Sequence, residues 1–215
     1  PEQVKINMLY AGGSFGRRAN PAGDYMIEAA TIVKGLFPQG KAGVPVKLVW
    51  TREDDMKAGY YRPAYLHTLK AGLDAGGYIA GWQHRIVGQS IITGTPFEKM
   101  MVKEGIDATS VEGASSLPYR IDDVSVDLHS PVVGVPVLWW RSVGSTHNGF
   151  STETFVDELA IAAGKDPVAF RMSMLNKHPR HAGVLELAAA KAGWGTPLAP
   201  GKAGGRVASC LPSGR

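Results

Sequence analysis

The stretch YLHTLKAGLDAGGYIAGWQHRIVG, residues 65–88, has two largely apolar segments on either side of a glycine pair. Aromatic and β-branched residues, which favour β-strands, occur in both segments. Gly76 and Gly77 lie between them, and glycine permits the backbone conformations that a tight turn requires. The stretch therefore predicts two strands that pair as a hairpin.

Upstream of the hairpin, the pattern predicts a strand, a helix and a second strand. Apolar and polar residues alternate within residues 3–10, and residues 44–51 form a short apolar segment. Between them, Asn20 is a good N-cap and Pro21 suits the first helical position. This helix is expected to end near Pro38. These elements predict a βαβ unit ahead of the hairpin.

Downstream, the chain becomes mainly helical. Residues 93–118 have no clean period, which predicts irregular structure with a short helix, and residues 121–128 alternate as a strand whose partner the sequence does not identify. Helices are predicted at residues 152–163, at residues 166–175 and within residues 182–194. Because hairpin pairing replaces regular βα alternation, we expect an α+β fold with a mixed sheet and packed helices.

Composition limits the function classes. With 215 residues, 44% of them hydrophobic, the chain can bury a sizeable core. The formal net charge is +4, but the basic residues are scattered, which argues against a nucleic-acid partner. Cys210 is the only cysteine, so no intrachain disulfide is possible. We expect one domain in residues 1–195, followed by a Gly/Pro-rich linker or a truncated start of the next domain in residues 196–215.

The stretch AGGSFGRRANP, residues 11–21, is the first candidate binding segment. Gly12, Gly13 and Gly16 lie between a predicted strand and a predicted helix, where backbone amides can approach an anion. A tight turn without a ligand is an equal alternative. The spacing fits neither the dinucleotide-binding G-x-G-x-x-G pattern nor a phosphate-binding P-loop.

The stretch WWRSVGSTHNGF, residues 139–150, is the second candidate. It places Arg141 and several small polar residues ahead of a predicted helix, so donors again collect at a helix N-terminus. The alternative is an ordinary loop in which Ser145, Thr146 or Asn148 caps the helix. His147 has no second ligand at a metal-binding spacing, so we predict no metal site here.

Several motifs together resemble one family. They are GGSFGRR, PVKLVWTREDDM, YYRPAYLHTLKAGLDAGGYIAGW, WWRSVGSTHNGFSTETFVDELA, GKDPVAFRMSML and HPRHAGVLELAAAKAGWG. In this order they are similar to the molybdenum-binding subunit of the xanthine oxidase family, in the branch of isoquinoline 1-oxidoreductase beta subunits and related bacterial aldehyde dehydrogenases. The resemblance extends over about residues 1–200.

The resemblance implies part of a molybdenum hydroxylase that oxidises a heteroaromatic ring carbon or an aldehyde, with water as the oxygen source. It implies molybdopterin cytosine dinucleotide with molybdenum as the cofactor, which this segment would hold only in part. The implied partners are an iron–sulfur small subunit, the remainder of the same polypeptide and a small-molecule substrate. A periplasmic or membrane-associated location is implied in the same way. The alternative is a non-catalytic anion- or nucleotide-binding domain.

The resemblance also implies which residues contact the cofactor. They are Gly12, Gly13, Ser14, Phe15, Gly16, Arg141, Ser142, Val143, Gly144, Ser145, His147 and Asn148. Ser14 stands where the family more often has glycine. The family's catalytic glutamate lies in a glycine-rich segment that this sequence does not contain, so no catalytic residue is assigned. Without that segment, the chain is expected to be inactive alone. The acidic run Glu53–Asp55 is interpreted as a helix start that Thr51 caps.

Overall fold

The structure is a computed structural model in which residues 4–38 and 44–201 are described. Its helices are α1 (Asp24–Leu36), α2 (Arg52–Lys57), α3 (Glu98–Met101), α4 (Ser145–Ala162), α5 (Pro167–Met174) and α6 (Pro179–Lys191). Its strands are β1 (Tyr65–Leu73), β2 (Ile79–Gly88), β3 (Val102–Lys103), β4 (Ile106–Asp107) and β5 (Asp123–His129).

The chain folds into two compact units. The first comprises the described residues up to Arg62 together with Gly134–Arg141, and it holds α1 and α2. The second comprises Pro63–Val133 and the described residues from Ser142 onward, and it holds β1–β5 and α3–α6. The segment of residues 139–150 therefore passes from the first unit into the second.

The predicted hairpin is confirmed, and its second strand, β2, is the central strand of the sheet in the second unit. β1 pairs antiparallel with β2, and Leu69 lies opposite His84 in the register. The turn closes where the Asp74 amide donates to the Tyr78 carbonyl over 2.8 Å. β5 adds to the other edge of β2 in parallel, so the strand order is β1-β2-β5. The predicted mixed sheet and α+β class are thus confirmed.

Helices cover one face of this sheet and bury the core of the second unit. The alternation of buried and exposed residues along β1 and β2 gives the sheet an apolar inner face. Trp82 on that face packs edge-on against Phe155 of α4, with ring centroids 5.2 Å apart. The fully buried core side chains include Ile86, Val156 and Phe170. Burial of these large apolar side chains stabilises the second unit.

A buried ion-pair network joins α4 to α5. The Arg171 guanidinium donates to Glu153 over 2.9 Å and to Asp157 over 2.6 Å. Tyr119 also donates to the Glu153 carboxylate. Burial raises the pKa of Glu153, while the adjacent Arg171 opposes that shift. A buried charge is tolerated because each member of the network has a hydrogen-bonding partner.

The two upstream strand predictions are wrong for the described residues. Residues 4–10 and 44–51 belong to none of the strands. The side chains of Val4, Ile6 and Met8 are 69%, 71% and 79% exposed. A strand needs a neighbour that accepts and donates its backbone hydrogen bonds, and among the described residues these segments have none. The predicted βαβ unit is therefore absent from the described part of the chain.

Three helices begin at residues other than the predicted ones. α1 begins at Asp24 behind Gly23, because the Asn20 side chain instead accepts from the Ala22 amide and closes a local turn. α4 begins seven residues before the predicted Thr152, which places the acidic residues of this helix beyond its first turn. α6 also begins earlier, at Pro179.

Two predicted helix starts are confirmed because their signals are local. The Thr51 hydroxyl accepts from the Asp54 amide, and the Asp54 carboxylate accepts from the Thr51 amide, a reciprocal capping box. Asp166 caps α5 by accepting from two backbone amides over 2.9 Å. The predicted domain boundary at residue 195 stays a prediction, and most of residues 196–215 lie outside the described part of the chain.

Candidate functional site

The glycine turn, Gly12–Gly16, lies in the first unit. Its backbone φ angles are 67° at Gly12, 99° at Gly13, 52° at Phe15 and 99° at Gly16. A positive φ is uncommon for a residue with a side chain, so the conformation of Phe15 is a strained one. The Phe15 side chain is 63% exposed. Because the Phe15 side chain is not buried, we infer that a ligand at this turn would be bound mainly by backbone groups.

Gly16 fixes the turn against Trp139 and Trp140. A Cβ at Gly16 would lie 2.9 Å from both the Trp139 carbonyl oxygen and the Trp140 Cα. The Arg141 amide also donates to the Phe15 carbonyl over 2.8 Å. A Cβ at Gly12, in contrast, would meet no atom within 4 Å. The turn thus has one side closed by protein backbone and another that is open.

The glycine turn does not lead directly into an α-helix, and that part of the sequence prediction is wrong. It continues into a short 3₁₀ turn, Arg17–Ala19, in which the Arg17 amide donates to the Ser14 carbonyl. The Arg17 guanidinium forms an ion pair with Asp24 at 2.5 Å. This pairing lowers the pKa of Asp24 and commits Arg17 to a contact within the first unit.

The polar loop, Arg141–Asn148, ends in the first turn of α4. Ser142 and Val143 have φ angles of 71° and 41°. Gly144 is the N-cap of this 18-residue helix and has no side chain that could cap it. The first-turn amides of a helix lack intrahelical acceptors, and the helix dipole adds partial positive charge there. The α4 N-terminus is therefore suited to an anionic group.

The alternative in which a polar side chain caps α4 is wrong, because those residues lie inside the helix. Asn148 instead anchors the helix to the segment after β4. Its fully buried side-chain amide donates to the Ser110 and Glu112 carbonyls, both over 2.9 Å. A Cβ at Gly144 would lie only 1.8 Å from the Thr109 carbonyl oxygen. Close packing on residues 109–112 therefore positions the start of α4.

Asp107 in turn stabilises the conformation of residues 109–112, the segment on which the start of α4 packs. Its buried carboxylate accepts from the Thr109 amide over 2.8 Å and from the Thr109 hydroxyl over 2.6 Å. The Ser90 hydroxyl donates to it over 2.5 Å. The sequence analysis missed Asp107, because the region around it lacks a clean period.

His147 faces the interior of the second unit. Its ring stacks on Tyr65 with centroids 3.6 Å apart and nearly parallel planes. Its Nδ1 lies 3.1 Å from Nε2 of His67. His67 Nδ1 in turn lies 2.8 Å from Nε2 of His84. These contacts give His147 a structural role, and its role towards a cofactor stays a prediction.

The sequence analysis assigned no role to His67 or His84. The signal that could have found them is strand periodicity, since Tyr65 and His67 share the inner face of β1 and His84 occupies the same face of β2. Burial lowers the pKa of His67, and burial together with His67 lowers the pKa of His84 to about 4. Both rings are therefore neutral at neutral pH.

The glycine turn and the N-terminus of α4 both suit an anionic cofactor that binds to backbone amides. The comparisons with known proteins name such a cofactor. The sequence profile described as "Molybdopterin cofactor-binding domain" matches residues 1–175. The chain belongs to this family. The match includes both the glycine turn and the polar loop, and it confirms the resemblance inferred from the motifs.

Characterised relatives agree with the family assignment. The chain is 29% identical over 195 residues to the beta subunit of isoquinoline 1-oxidoreductase from Brevundimonas diminuta, covering 90% of this chain and 24% of that protein. It is 32% identical over 196 residues to the membrane-bound aldehyde dehydrogenase (pyrroloquinoline-quinone) of Gluconacetobacter polyoxogenes, covering 85% and 24%. The chain thus spans about a quarter of the length of these relatives.

Solved structures share the fold. Quinoline 2-oxidoreductase from Pseudomonas putida 86 superposes with a TM-score of 0.64 at 16% identity, over 85% of this chain and 24% of that one. The aldehyde oxidoreductase from Desulfovibrio gigas gives 0.63 at 16% identity, over 85% and 20%. At this identity the likeness concerns the fold alone.

Two negative findings apply to the described residues. Within residues 4–38 and 44–201, no cluster of three or more histidine, cysteine, aspartate or glutamate side chains is arranged to hold a metal ion. Over the same ranges, no helix combines the length and the apolar character of a membrane span.

Proposed function

We propose that this domain is part of the molybdenum-binding subunit of a hydroxylase that oxidises a heteroaromatic ring carbon or an aldehyde, with water as the oxygen source. The family match and the relatives named as isoquinoline and aldehyde oxidoreductases support this class. The observation that carries the proposal is the open side of the glycine turn, where a Cβ at Gly12 would meet no protein atom. Such an opening is what close approach of a ligand to backbone amides requires.

The proposed cofactor is molybdopterin in its cytosine dinucleotide form. When bound, it supplies the metal centre that takes two electrons from the substrate. The backbone amides of the glycine turn would donate hydrogen bonds to it, with Phe15 contributing through its main chain. Ser14 is compatible with this role because its side chain is small.

The polar loop would bind the anionic part of the cofactor. The first-turn amides of α4 supply donors for a pyrophosphate, and the dipole of this long helix favours negative charge there. Arg141 adds a permanent cation whose planar group can bind phosphate oxygens in pairs. This division assigns phosphate binding to the polar loop and close backbone contact to the glycine turn.

No residue of this chain is proposed as a catalytic acid or base. The acidic run at the start of α2 has other partners, since Asp54 belongs to the capping box and Asp55 pairs with Arg52 over 3.0 Å. The relatives include proteins named as subunits, which indicates assembly with other chains. We propose that an iron–sulfur small subunit is among them and takes the electrons onward.

The test replaces Gly12 with asparagine in protein expressed with a molybdenum supply. Asparagine tolerates a positive φ, so Gly12→Asn should keep the fold while its side chain fills the opening. We expect molybdenum per folded molecule to fall about tenfold or more, which corresponds to roughly 1.4 kcal/mol of lost binding. The matched control is Gly105→Asn in the β3–β4 turn, where φ is 80° and a Cβ also meets open space.

Equal molybdenum contents in Gly12→Asn and Gly105→Asn would show that the glycine turn does not hold the cofactor. Mass spectrometry of the extracted cofactor tests its chemical form. Detection of molybdopterin without cytosine would reject the dinucleotide form of the cofactor but would leave the proposed hydroxylase function unchanged. Recovery of a nucleotide or quinone without molybdenum would reject the proposal in favour of a different ligand, including the non-catalytic anion- or nucleotide-binding domain.

A further inference from the structure

The backbone carbonyl of Arg141 accepts hydrogen bonds from a second arginine, Arg62. Two nitrogens of the Arg62 guanidinium, Nη1 and Nη2, lie 3.5 Å and 3.4 Å from this oxygen. Both residues belong to the first unit. The Arg141 amide donates at the same time to the Phe15 carbonyl of the glycine turn over 2.8 Å. Both backbone polar groups of Arg141 therefore have partners, one in the glycine turn and the other in Arg62.

The backbone around Arg62 is itself well fixed. The Tyr61 amide donates to the Pro136 carbonyl over 2.9 Å, so the segment that carries Arg62 lies beside the segment that leads to Arg141. Pro63 follows Arg62, and a proline restricts the residue before it to extended conformations. The exposed Arg62 side chain thus reaches the Arg141 carbonyl from a backbone with little freedom to move.

The direction of the Arg141 carbonyl determines where the next backbone amide points. The described residues contain no cis peptide bond, and in a trans peptide the C=O and the following N–H point in opposite directions within one plane. Arg62 lies on the carbonyl side of this peptide, so the Ser142 amide is directed to the opposite side. Ser142 and Val143 then have positive φ angles, which are uncommon for residues with side chains. A bond that favours one orientation of this peptide is therefore useful at the start of the polar loop.

A guanidinium at this position could act in two ways, by orienting the peptide or by attracting an anion through its charge. The observed contact is to a backbone oxygen, and both terminal nitrogens of Arg62 donate to it. Charge alone would act on the cofactor without any change in the Arg141 backbone. The two roles can therefore be separated by measurements on the Arg141 backbone in protein without cofactor.

We propose that Arg62 is a positioning residue for the cofactor, which orients the Arg141–Ser142 peptide so that the Ser142 amide can donate to the anionic group. Arg62 acts through this peptide and does not need to touch the cofactor. The inference rests on the function proposed above, in which the polar loop binds the anionic part of the cofactor. It adds a residue that lies 79 positions before Arg141 in the chain.

The test replaces Arg62 with methionine, which has a long side chain but no donor. The first measurement is hydrogen exchange of the Arg141 amide in protein made without molybdenum. Loss of the Arg62 hydrogen bonds loosens the Arg141 backbone, so we expect this amide to exchange about three- to tenfold faster. The second measurement is molybdenum per folded molecule after expression with a molybdenum supply. We expect it to fall by a similar factor, with folding scored by circular dichroism.

Two further variants sharpen the test. Arg62→Lys keeps a donor that can reach the same carbonyl, but a single ammonium replaces the two guanidinium nitrogens. It should restore part of both the Arg141 protection and the molybdenum content. Arg52→Met removes another exposed arginine of the first unit, whose partner is Asp55, and should leave both measurements unchanged.

Faster Arg141 exchange with an unchanged molybdenum content would reject a role of Arg62 towards the cofactor. A lower molybdenum content with unchanged Arg141 exchange would show that Arg62 acts through its charge, which overturns the positioning role. Both outcomes leave the proposed function in place, because the parent protein then holds molybdenum. A parent protein that takes up no molybdenum under the same conditions would reject the proposed function, and this inference with it.

Discussion

The glycine turn and the polar loop both expose backbone donors, but they are held in different ways. The glycine turn is held through backbone groups, with Gly16 against Trp139–Trp140 and the Phe15 carbonyl bonded to the Arg141 amide. The polar loop is held by buried side chains, above all Asn148. The partners of Asn148 lie 38 and 36 residues away along the chain.

This difference has a physical cause. Helices α1 and α2 of the first unit contain no buried residue, so these helices supply no core for the glycine turn. The second unit has a core, and there buried polar groups must find partners because leaving them unpaired is costly. We therefore expect substitutions to act through backbone strain in the glycine turn and through lost packing or hydrogen bonds in the polar loop.

The largest expected effect is that of Gly144→Ala. Its Cβ would lie 1.8 Å from the Thr109 carbonyl oxygen, so the backbone itself must move. We expect a loss of at least about 4 kcal/mol in the free energy of unfolding of the second unit, at the upper end of single substitutions. Chemical denaturation measures it. Gly183→Ala in α6 is the control, since a Cβ there meets no atom within 4 Å and should stabilise by about 0.5 to 1 kcal/mol.

Asn148→Ala is expected to have the next largest effect. It leaves two buried carbonyls without donors, which should cost about 3 kcal/mol of unfolding free energy. Thr154→Ala on the exposed face of α4 removes only a hydroxyl bonded within the helix and should stay within about 0.5 kcal/mol. If both variants unfold at the same denaturant concentration, the polar loop does not depend on its side-chain anchors.

Gly16→Ala should act more mildly and through the backbone. At a φ of 99°, with protein backbone 2.9 Å away, an alanine should cost about 2 kcal/mol. Limited proteolysis of residues 12–19 and denaturation of the first unit report this loss. An unchanged cleavage rate would contradict the close packing on Trp139 and Trp140.

The smallest expected effect is that of Phe15→Leu. The side chain is largely exposed, so stability should change by less than about 0.5 kcal/mol, and we expect cofactor content to be retained. Phe15→Gly is the informative partner, because glycine relieves the positive φ and should stabilise the turn locally. A large loss of stability or of molybdenum in Phe15→Leu would show that the ring, and not the main chain, is what matters.

The features that could be predicted from the amino-acid sequence are those whose causes lie within a few residues. The hairpin follows from two β-favouring segments around Gly76-Gly77, and the starts of α2 and α5 follow from Thr51 and Asp166, which bond amides two or three residues away. The family also followed from the sequence, because several motifs occur in a fixed order. Such signals need no knowledge of what lies across the fold.

The remaining features depend on contacts between segments that are distant in sequence. The partner of β5, the early start of α4 and the contacts of His67 all depend on residues far apart in sequence, such as His67 and His147 at a separation of 80. The strands predicted at residues 3–10 and 44–51 are absent from the described residues for the same reason, since an apolar pattern shows that a segment can pair but not that a partner is present. Pairing and burial are properties of two segments at once, so one segment's sequence cannot specify them.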